Sequence, residues 1–432
     1  MAEEGADCRL ECINCKAAYA LSDTRYQCEC GGMLDALHDL TALRGKVSRE
    51  LFASRLGAKE LPYSSGVWRY GELILPIEDK FIVSRPEGNT NLYRRRNLSA
   101  WVGVENMALK HEGENPTGSF KDRGMTVGVT QAKALGCKVV ACASTGNTSS
   151  SLAAYGALGG LEVLVFVPQG KISLGKLSQT LAYGATTLEV RGSFDTAMRL
   201  VREVCARYGV YLLNSVNPLR IEGQKSTVIE LLQQLNWEVP DWIVLPAGNL
   251  GNVSAFGKAL HELKELGLID RLPRLAAIQA HGANPFWQSF VDDFQRRVRI
   301  TTPETVATAI RIGNPVSYEK AIRGLRWTEG VAAEVTDEEI MEAKARVDAA
   351  GIGCEPASAS SVAGARKLAQ EGVIKRGDMV VGILTGHILK DPETTIAYHQ
   401  GGLVGVSSRQ ANRPIVIEPT LQAVEKILEV KL

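Results

Sequence analysis

From about residue 75 to residue 386, short apolar runs alternate with amphipathic stretches. Runs that read as β-strands lie at 138–144 (KVVACAS), 162–168 (EVLVFVP), 186–190, 210–214, 241–247 (DWIVLPA), 274–280 and 379–384. Between them, apolar residues recur at helical spacing over 121–135, 148–158, 173–183, 193–208 and 253–266. A glycine closes each of these helices, at Gly136, Gly159, Gly184, Gly209 and Gly267, where a left-handed C-cap is expected. Thr336 and Glu339 have the spacing of a capping box and open a further helix. Regular alternation of this kind predicts an α/β protein with a mostly parallel sheet covered on both faces. The rhythm is missing from the first forty-odd residues and stops at about Gly401, beyond which a packed tail or a contact with a partner subunit is expected.

Composition narrows the class. The chain has 432 residues, which suggests two or three domains with an adequate core. Basic and acidic residues number 49 and 48, so the net charge of +1 creates no field for nucleic acid or anionic membrane. No apolar run reaches the ~18 residues of a membrane span. The opening MAEEGADCRL lacks the basic and apolar regions of a secretory signal, so a cytoplasmic location is expected.

The cysteines add chemistry. Five of nine fall in the first thirty residues, and the odd count and clustering argue against a disulfide framework. Cys12-x2-Cys15-x12-Cys28-x-Cys30, followed by Gly31 and Gly32, can supply four sulfur ligands to a tetrahedral zinc. Free thiols on a turn-rich segment are the plain alternative, and Cys8 is a weaker ligand candidate. Cys137, Cys142, Cys205 and Cys354 read as small buried hydrophobes.

Four further stretches stand where ligands meet α/β sheets. In NPTGSFKDRG (115–124), Lys121 falls in the first turn of a helix. The helix dipole lowers its pKa and suits it to Schiff-base chemistry; a solvated lysine beside Asp122 and Arg123 is the alternative. STGNTSSS (144–151) joins a strand to a helix and gathers hydroxyls, an amide and free N–H groups suited to a carboxylate or phosphate. GNLGN (248–252) fits neither the dinucleotide nor the P-loop pattern, yet its N–H groups could hold a monophosphate. LTGHILKD (384–391) places Thr385 at the carboxyl end of a strand. For 144–151 and 248–252 an ordinary strand-to-helix turn is the alternative, and His387 taken alone reads as a structural surface histidine.

Taken in order, these stretches resemble the fold type II pyridoxal-phosphate enzymes, and the closest likeness is to the threonine synthase family. The resemblance runs from about Glu87 to Pro392 and rests also on NSVNPLRIEGQKST (214–227) and TAIRIGNPVSYEKA (308–321). The cysteine-rich front with CxCGG is similar to that of many members. It implies a tryptophan synthase β-like fold: two three-layer αβα domains behind a zinc-ribbon-like segment. The expected division is 1–45 for the ribbon, 46–135 with 215–400 for the large domain, 136–214 for the small domain and 401–432 for the tail.

The resemblance also implies roles. Lys121 would carry pyridoxal 5'-phosphate and then move protons. Asn147 would face the pyridoxal 3-oxygen, Gly248, Asn249, Leu250, Gly251 and Asn252 would cradle the cofactor phosphate, and Thr385 would meet the pyridine nitrogen. Thr148, Asn214, Ser215 and Arg220, with Lys110 as a helper, would bind a substrate phosphate; Ser144 and Thr145 would receive the substrate carboxylate. The implied reaction turns O-phospho-L-homoserine and water into L-threonine and phosphate, in a homodimer. Two positions depart from the family pattern: Asn91 where proline is usual, and Ile388 where glycine is usual, which puts the geometry beside His387 in question. A threonine/serine dehydratase or a cysteine synthase shares the lysine and phosphate loop but has no use for a second phosphate. A catalytically silent protein that binds a partner through its ribbon would not need Lys121.

Overall fold

The computed structural model describes residues 8–170 and 174–431. Strands β1 (Cys8–Cys12), β2 (Ala18–Tyr19) and β3 (Leu34–His38) form an antiparallel sheet in the order β2-β1-β3. Strands β4 (Leu92–Arg94) and β5 (Asn106–His111) belong to a six-stranded sheet. The chain then leaves to build a four-stranded parallel sheet from β6 (Val139–Ala143), β7 (Glu162–Pro168), β8 (Thr186–Val190) and β9 (Tyr211–Leu212), in the order β8-β7-β6-β9. It returns with β10 (Trp242–Pro246), β11 (Arg274–Ala280), β12 (Val331–Val335) and β13 (Met379–Leu384). These complete the large sheet in the order β12-β11-β10-β13-β5-β4, parallel except for β4.

The central strands are buried along their whole length, which is why they read as continuous apolar runs: every residue of β10 and all but the first of β13 are buried. Helices follow the glycine rule with one correction. The helix Asn147–Gly159 ends not on Gly159 but on Gly160, the residue with positive φ; Gly159 is still helical and packs near Val129. The helix Phe194–Tyr208 has Ser193 as N-cap and Gly209 in the left-handed conformation. Thr336 and Glu339 form both halves of their capping box. The expected helix over 173–183 is present as Leu174–Ala182, and Ser173 lies outside the described residues.

Two helices carry the architecture of the site. Lys121–Ala134 and Pro218–Gln234 pack so closely that a Cβ on Gly124 would meet the Arg220 carbonyl oxygen at 2.6 Å, and one on Gly223 would overlap the Arg123 carbonyl. Glycine is required at both positions because backbone meets backbone there.

The cysteine segment is docked by buried charge. From β3, His38 lies 2.9 Å from Glu222 and Asp35 lies 2.5 Å from Arg323. Lys320 donates to the Leu34 carbonyl at 2.5 Å, and Lys258 bonds both Ala36 and Glu222. Tyr26 accepts the Leu212 N–H at 2.6 Å, so the same segment also touches β9. At the other end, Leu403 and Val406 pack on Met341, Ala345 and Tyr398. Val404 between them is 98% accessible, as is Val416 in the largely exposed tail beyond. Among the described residues no helix is long and apolar enough to cross a membrane.

Candidate active site

Lys121 is the first residue of its helix, and its neighbours disprove the picture of a solvated charged turn. Asp122 is fully buried and accepts from Thr117 N–H (2.7 Å), Thr117 Oγ1 (2.6 Å) and Ser151 Oγ (2.6 Å). Arg123, also fully buried, pairs with Glu112 at 2.6 Å and with Glu230 at 2.9 Å. Both flanking side chains are committed to the core, and of the three Lys121 alone stays partly accessible. Its ammonium lies 4.3 Å from the Phe120 ring centroid. Burial and the nearby Arg220 cation push its pKa down to about 7, against a smaller opposing pull from Glu355. Near neutral pH a large fraction is therefore the free amine.

The loop before Lys121 is fastened to the end of β13. Phe120 N–H donates to the Thr385 carbonyl at 3.0 Å, and His387 N–H to the Gly118 carbonyl at 2.9 Å. The register that pairs Leu384 with His111 sets this up. Thr385 is buried, and its hydroxyl lies 3.1 Å from Ser358 Oγ. Ile388 introduces no strain: it opens a short 3-10 turn outside the positive-φ region and packs under Gly353. Asn91 is equally well placed, because its N–H, which proline would lack, donates to Glu114 at 2.7 Å.

Across from the lysine, Asn147 begins the helix after β6, and its amide donates to Glu355 at 3.1 and 3.3 Å. Glu355 is 3% exposed, precedes the helix Pro356–Gln370, and closes so tightly on Gly386 that a Cβ there would strike its carboxylate. Sequence reasoning missed Glu355; a carboxylate before proline at a helix start looks like an ordinary cap.

The 248–252 loop leads into the helix Gly251–Glu265, with Leu250 in the left-handed conformation at the N-cap. Asn249 is held by Ser317 N–H, which donates to its carbonyl at 3.1 Å, and Gly248 sits against Ile310. The helix N-terminus thus presents unpaired N–H groups, an anion-binding arrangement. The Asn252 Oδ1 and Gln224 Oε1 atoms nearby are buried with no partner. A free-amine lysine, a hydroxyl at a strand end and an anion cradle fit pyridoxal phosphate.

Arg220 is 1% exposed, and the Glu222 carboxylate two residues on is taken by His38, Lys225 and Lys258. Arg220 Nη1 donates to the Leu213 carbonyl at 3.0 Å, and Nε has no partner. Burial lowers its pKa only to about 10, so it remains a cation. Ser215 is half-buried close by in sequence, and Thr148 is buried in the first turn after Asn147. Ser144 accepts from Gly146 N–H at 3.3 Å, and both Ser144 and Thr145 remain partly accessible.

One expectation is corrected. Lys110 does not reach a ligand: its three N–H bonds go to the Thr90 carbonyl (2.6 Å), Glu230 (2.5 Å) and Gln234 (2.8 Å), which exhausts an ammonium's donors. Asn214 clamps Ala143, accepting its N–H at 2.9 Å and donating to its carbonyl at 2.8 Å. That fixes the end of β6 and leaves at most one N–H for a ligand.

In the front segment, the sulfurs of Cys12, Cys15, Cys28 and Cys30 all lie within 4.8 Å of one another. The closest pairs are 3.5 Å (Cys12 to Cys30) and 3.4 Å (Cys15 to Cys28). Cys8, the first residue of β1, pairs with His38 of β3, is buried and belongs to the core rather than to this cluster.

Comparison with known proteins agrees with this geometry. The family described as pyridoxal-phosphate dependent enzyme matches residues 83–386. The threonine synthase of Methanocaldococcus jannaschii is 47% identical over 420 residues, covering 97% of this chain and 98% of that one. The threonine synthase of Methanosarcina acetivorans is 49% identical over 391 residues, covering 90% and 93%. The solved threonine synthase of Escherichia coli superposes with a TM-score of 0.68 at 18% identity over 98% of this chain and all of that one, a likeness of fold. The chain belongs to the pyridoxal-phosphate dependent enzymes and, within them, to the threonine synthases.

Proposed function

We propose that this protein converts O-phospho-L-homoserine and water into L-threonine and phosphate. The observation that carries this reading is Arg220, a buried cation with an unpartnered Nε, close enough to Lys121 to depress its pKa. A buried guanidinium without a carboxylate is costly unless an anion completes it. A phosphomonoester does so, because the planar fork can hold two of its oxygens. A dehydratase acting on serine or threonine has no such group.

Lys121 would hold the cofactor, and Gly248, Asn249, Leu250, Gly251 and Asn252 would receive its phosphate at the helix N-terminus. Asn147 would face the 3-oxygen of the ring and Thr385 its nitrogen. Bound pyridoxal phosphate supplies an electron sink for charge developing at Cα and then Cβ of the substrate. Lys121 Nζ, with a pKa near neutrality, takes and returns the carbon-bound protons. Arg220, Ser215 and Thr148 orient the phosphate and stabilise it as it leaves. Ser144 and Thr145 receive the carboxylate.

The four clustered cysteines are proposed to hold one structural zinc. A tetrahedron of ~2.3 Å Zn–S bonds needs sulfurs roughly 3.8 Å apart, and the cluster requires only small shifts to reach that. The separate six-stranded and four-stranded sheets support the division into large and small domains at 135/136 and 214/215. A cytoplasmic homodimer is proposed, with the exposed apolar tail as its candidate contact; light scattering tests the mass. The catalytic reading is tested by phosphate release and threonine formation from phosphohomoserine with purified, cofactor-loaded protein. No phosphate release would overturn it.

A further inference from the structure

We propose that Gln224 is an additional ligand of the cofactor's phosphate, contributed by the helix that also carries Arg220. The proposal rests on the reading that the 248–252 loop cradles that phosphate. Gln224 is 4% exposed, and its Oε1 has no hydrogen-bond partner. It bridges the two helices that bound the site: its Nε2 lies 3.2 Å from where a Cβ on Gly124 would stand, and its Oε1 3.2 Å from the same point on Gly251. One of those glycines is a turn beyond Lys121; the other lies in the proposed cradle and begins the helix after it.

A buried, unanswered amide oxygen is uncommon and calls for a missing partner. As it stands the oxygen lacks a donor; beside a helix N-terminus, where N–H groups favour negative charge, an anion would instead be met by the N–H2 end of the same amide. The terminal amide of glutamine turns end for end at no steric cost. Turned, it places an N–H2 beside Gly251 where a phosphate oxygen would lie, and Asn252, whose Oδ1 is also buried and unpartnered, can do the same.

The spacing gives the arrangement a purpose. Arg220 and Gln224 are four residues apart, so they lie on one helix face about 6 Å apart along the axis. Arg220 offers a charged fork and Gln224 a neutral donor. One helix thereby sorts two phosphates: the leaving phosphate of the substrate to the cation, and the permanent phosphate of the cofactor to neutral donors that do not compete for Arg220.

The test titrates cofactor-free protein with pyridoxal 5'-phosphate and, separately, with pyridoxal, which lacks the phosphate. Gln224→Glu keeps the shape and sets a carboxylate against the phosphate; Gln224→Met keeps the length and removes the donor. Both are checked for an unchanged melting curve, and Met decides if Glu fails to fold. The expected result is a loss of about tenfold or more in pyridoxal phosphate affinity for both variants, the size of one hydrogen bond to a charged group, with pyridoxal binding nearly unchanged. The 31P resonance of the bound cofactor should also move. Unchanged affinity and 31P shift would overturn the assignment, as would an equal loss for both ligands, which would make Gln224 a packing wedge. Failure of the underlying reading looks different: the wild-type protein itself would not prefer pyridoxal phosphate to pyridoxal.

Discussion

The Asn147 amide nitrogen sits 3.1 Å from one Glu355 oxygen and 3.3 Å from the other, joining the first helix of the small sheet to a helix of the large one. A carboxylate only accepts, so this contact dictates which end of the Asn147 amide faces Glu355. It fixes the rotamer with which Asn147 would meet the cofactor ring under the proposed function. Glu355 is also the anion that opposes Arg220 in its effect on Lys121.

Glu355→Gln should therefore do two things. The pKa of Lys121 in cofactor-free protein should fall, measured as the pH midpoint of its reaction with an amine-selective reagent. Turnover should drop by about 10- to 100-fold, the loss of one charge-assisted hydrogen bond in the site, with a smaller change in KM for phosphohomoserine. An unmoved lysine midpoint with normal kcat would remove Glu355 from the account.

Lys121 makes its own pH prediction. With a folded pKa of about 7 against 10.5 for an ordinary lysine, its labelling rate in cofactor-free protein should rise through pH 7. Between those values the unfolded chain binds more protons than the folded one, so stability gains with rising pH across this window. The cost of holding Lys121 is complete below about pH 7 and vanishes above about 10.5. Lys121→Met should thus raise the melting temperature of the cofactor-free protein at pH 6 and scarcely change it at pH 10.5. The same rise at both pH values would contradict the shifted pKa.

For the cysteine cluster, elemental analysis of freshly reduced protein should find one zinc per chain, and Cys28→Ser should lose it. Because β3 is held by Asp35, His38, Lys258 and Lys320, chelation should loosen the turns bearing Cys12 to Cys30 without unfolding the main body. Hydrogen exchange should speed up in residues 13–33 while the main melting transition stays in place. Loss of that transition on chelation would show that the segment holds the whole fold.

Much of the fold was legible where a strand is buried on both faces. The runs at 162–168, 274–280 and 379–384 coincide with β7, β11 and β13, because bounded apolar stretches leave no other register; 186–190 coincides with β8 although that edge strand has no buried residue. Strand β5 (NMALKH) was not legible: its buried Lys110 and His111 break the pattern, and their partners, Glu230, Gln234 and the Gly353 carbonyl, are more than a hundred residues away. The same distance explains why Lys110 reads as a ligand in sequence and is a buried ion-pair partner in space. The 248–252 loop and Thr385 stood out because each follows a strand end, and Lys121 because it falls in the first turn of a helix. Glu355 and Gln224 were not, since nothing local in sequence separates a carboxylate before proline, or a glutamine inside a helix, from ordinary capping and packing.

The central claim is that Arg220 reads a phosphate on the substrate, and the most direct measurement compares two substrates in wild type and Arg220→Ala. Phosphate release from O-phospho-L-homoserine and keto-acid formation from L-serine are followed in the same cofactor-loaded preparations. The account predicts that kcat/KM for phosphohomoserine falls by about 100-fold or more, through loss of a charge-assisted contact that also steadies the departing group, while any slow reaction of serine and the binding of the cofactor stay nearly constant. Arg220→Lys should recover only part of the loss, because a point charge lacks the fork geometry. An unchanged ratio of the two rates on removing Arg220 would contradict the account and favour a dehydratase-like enzyme.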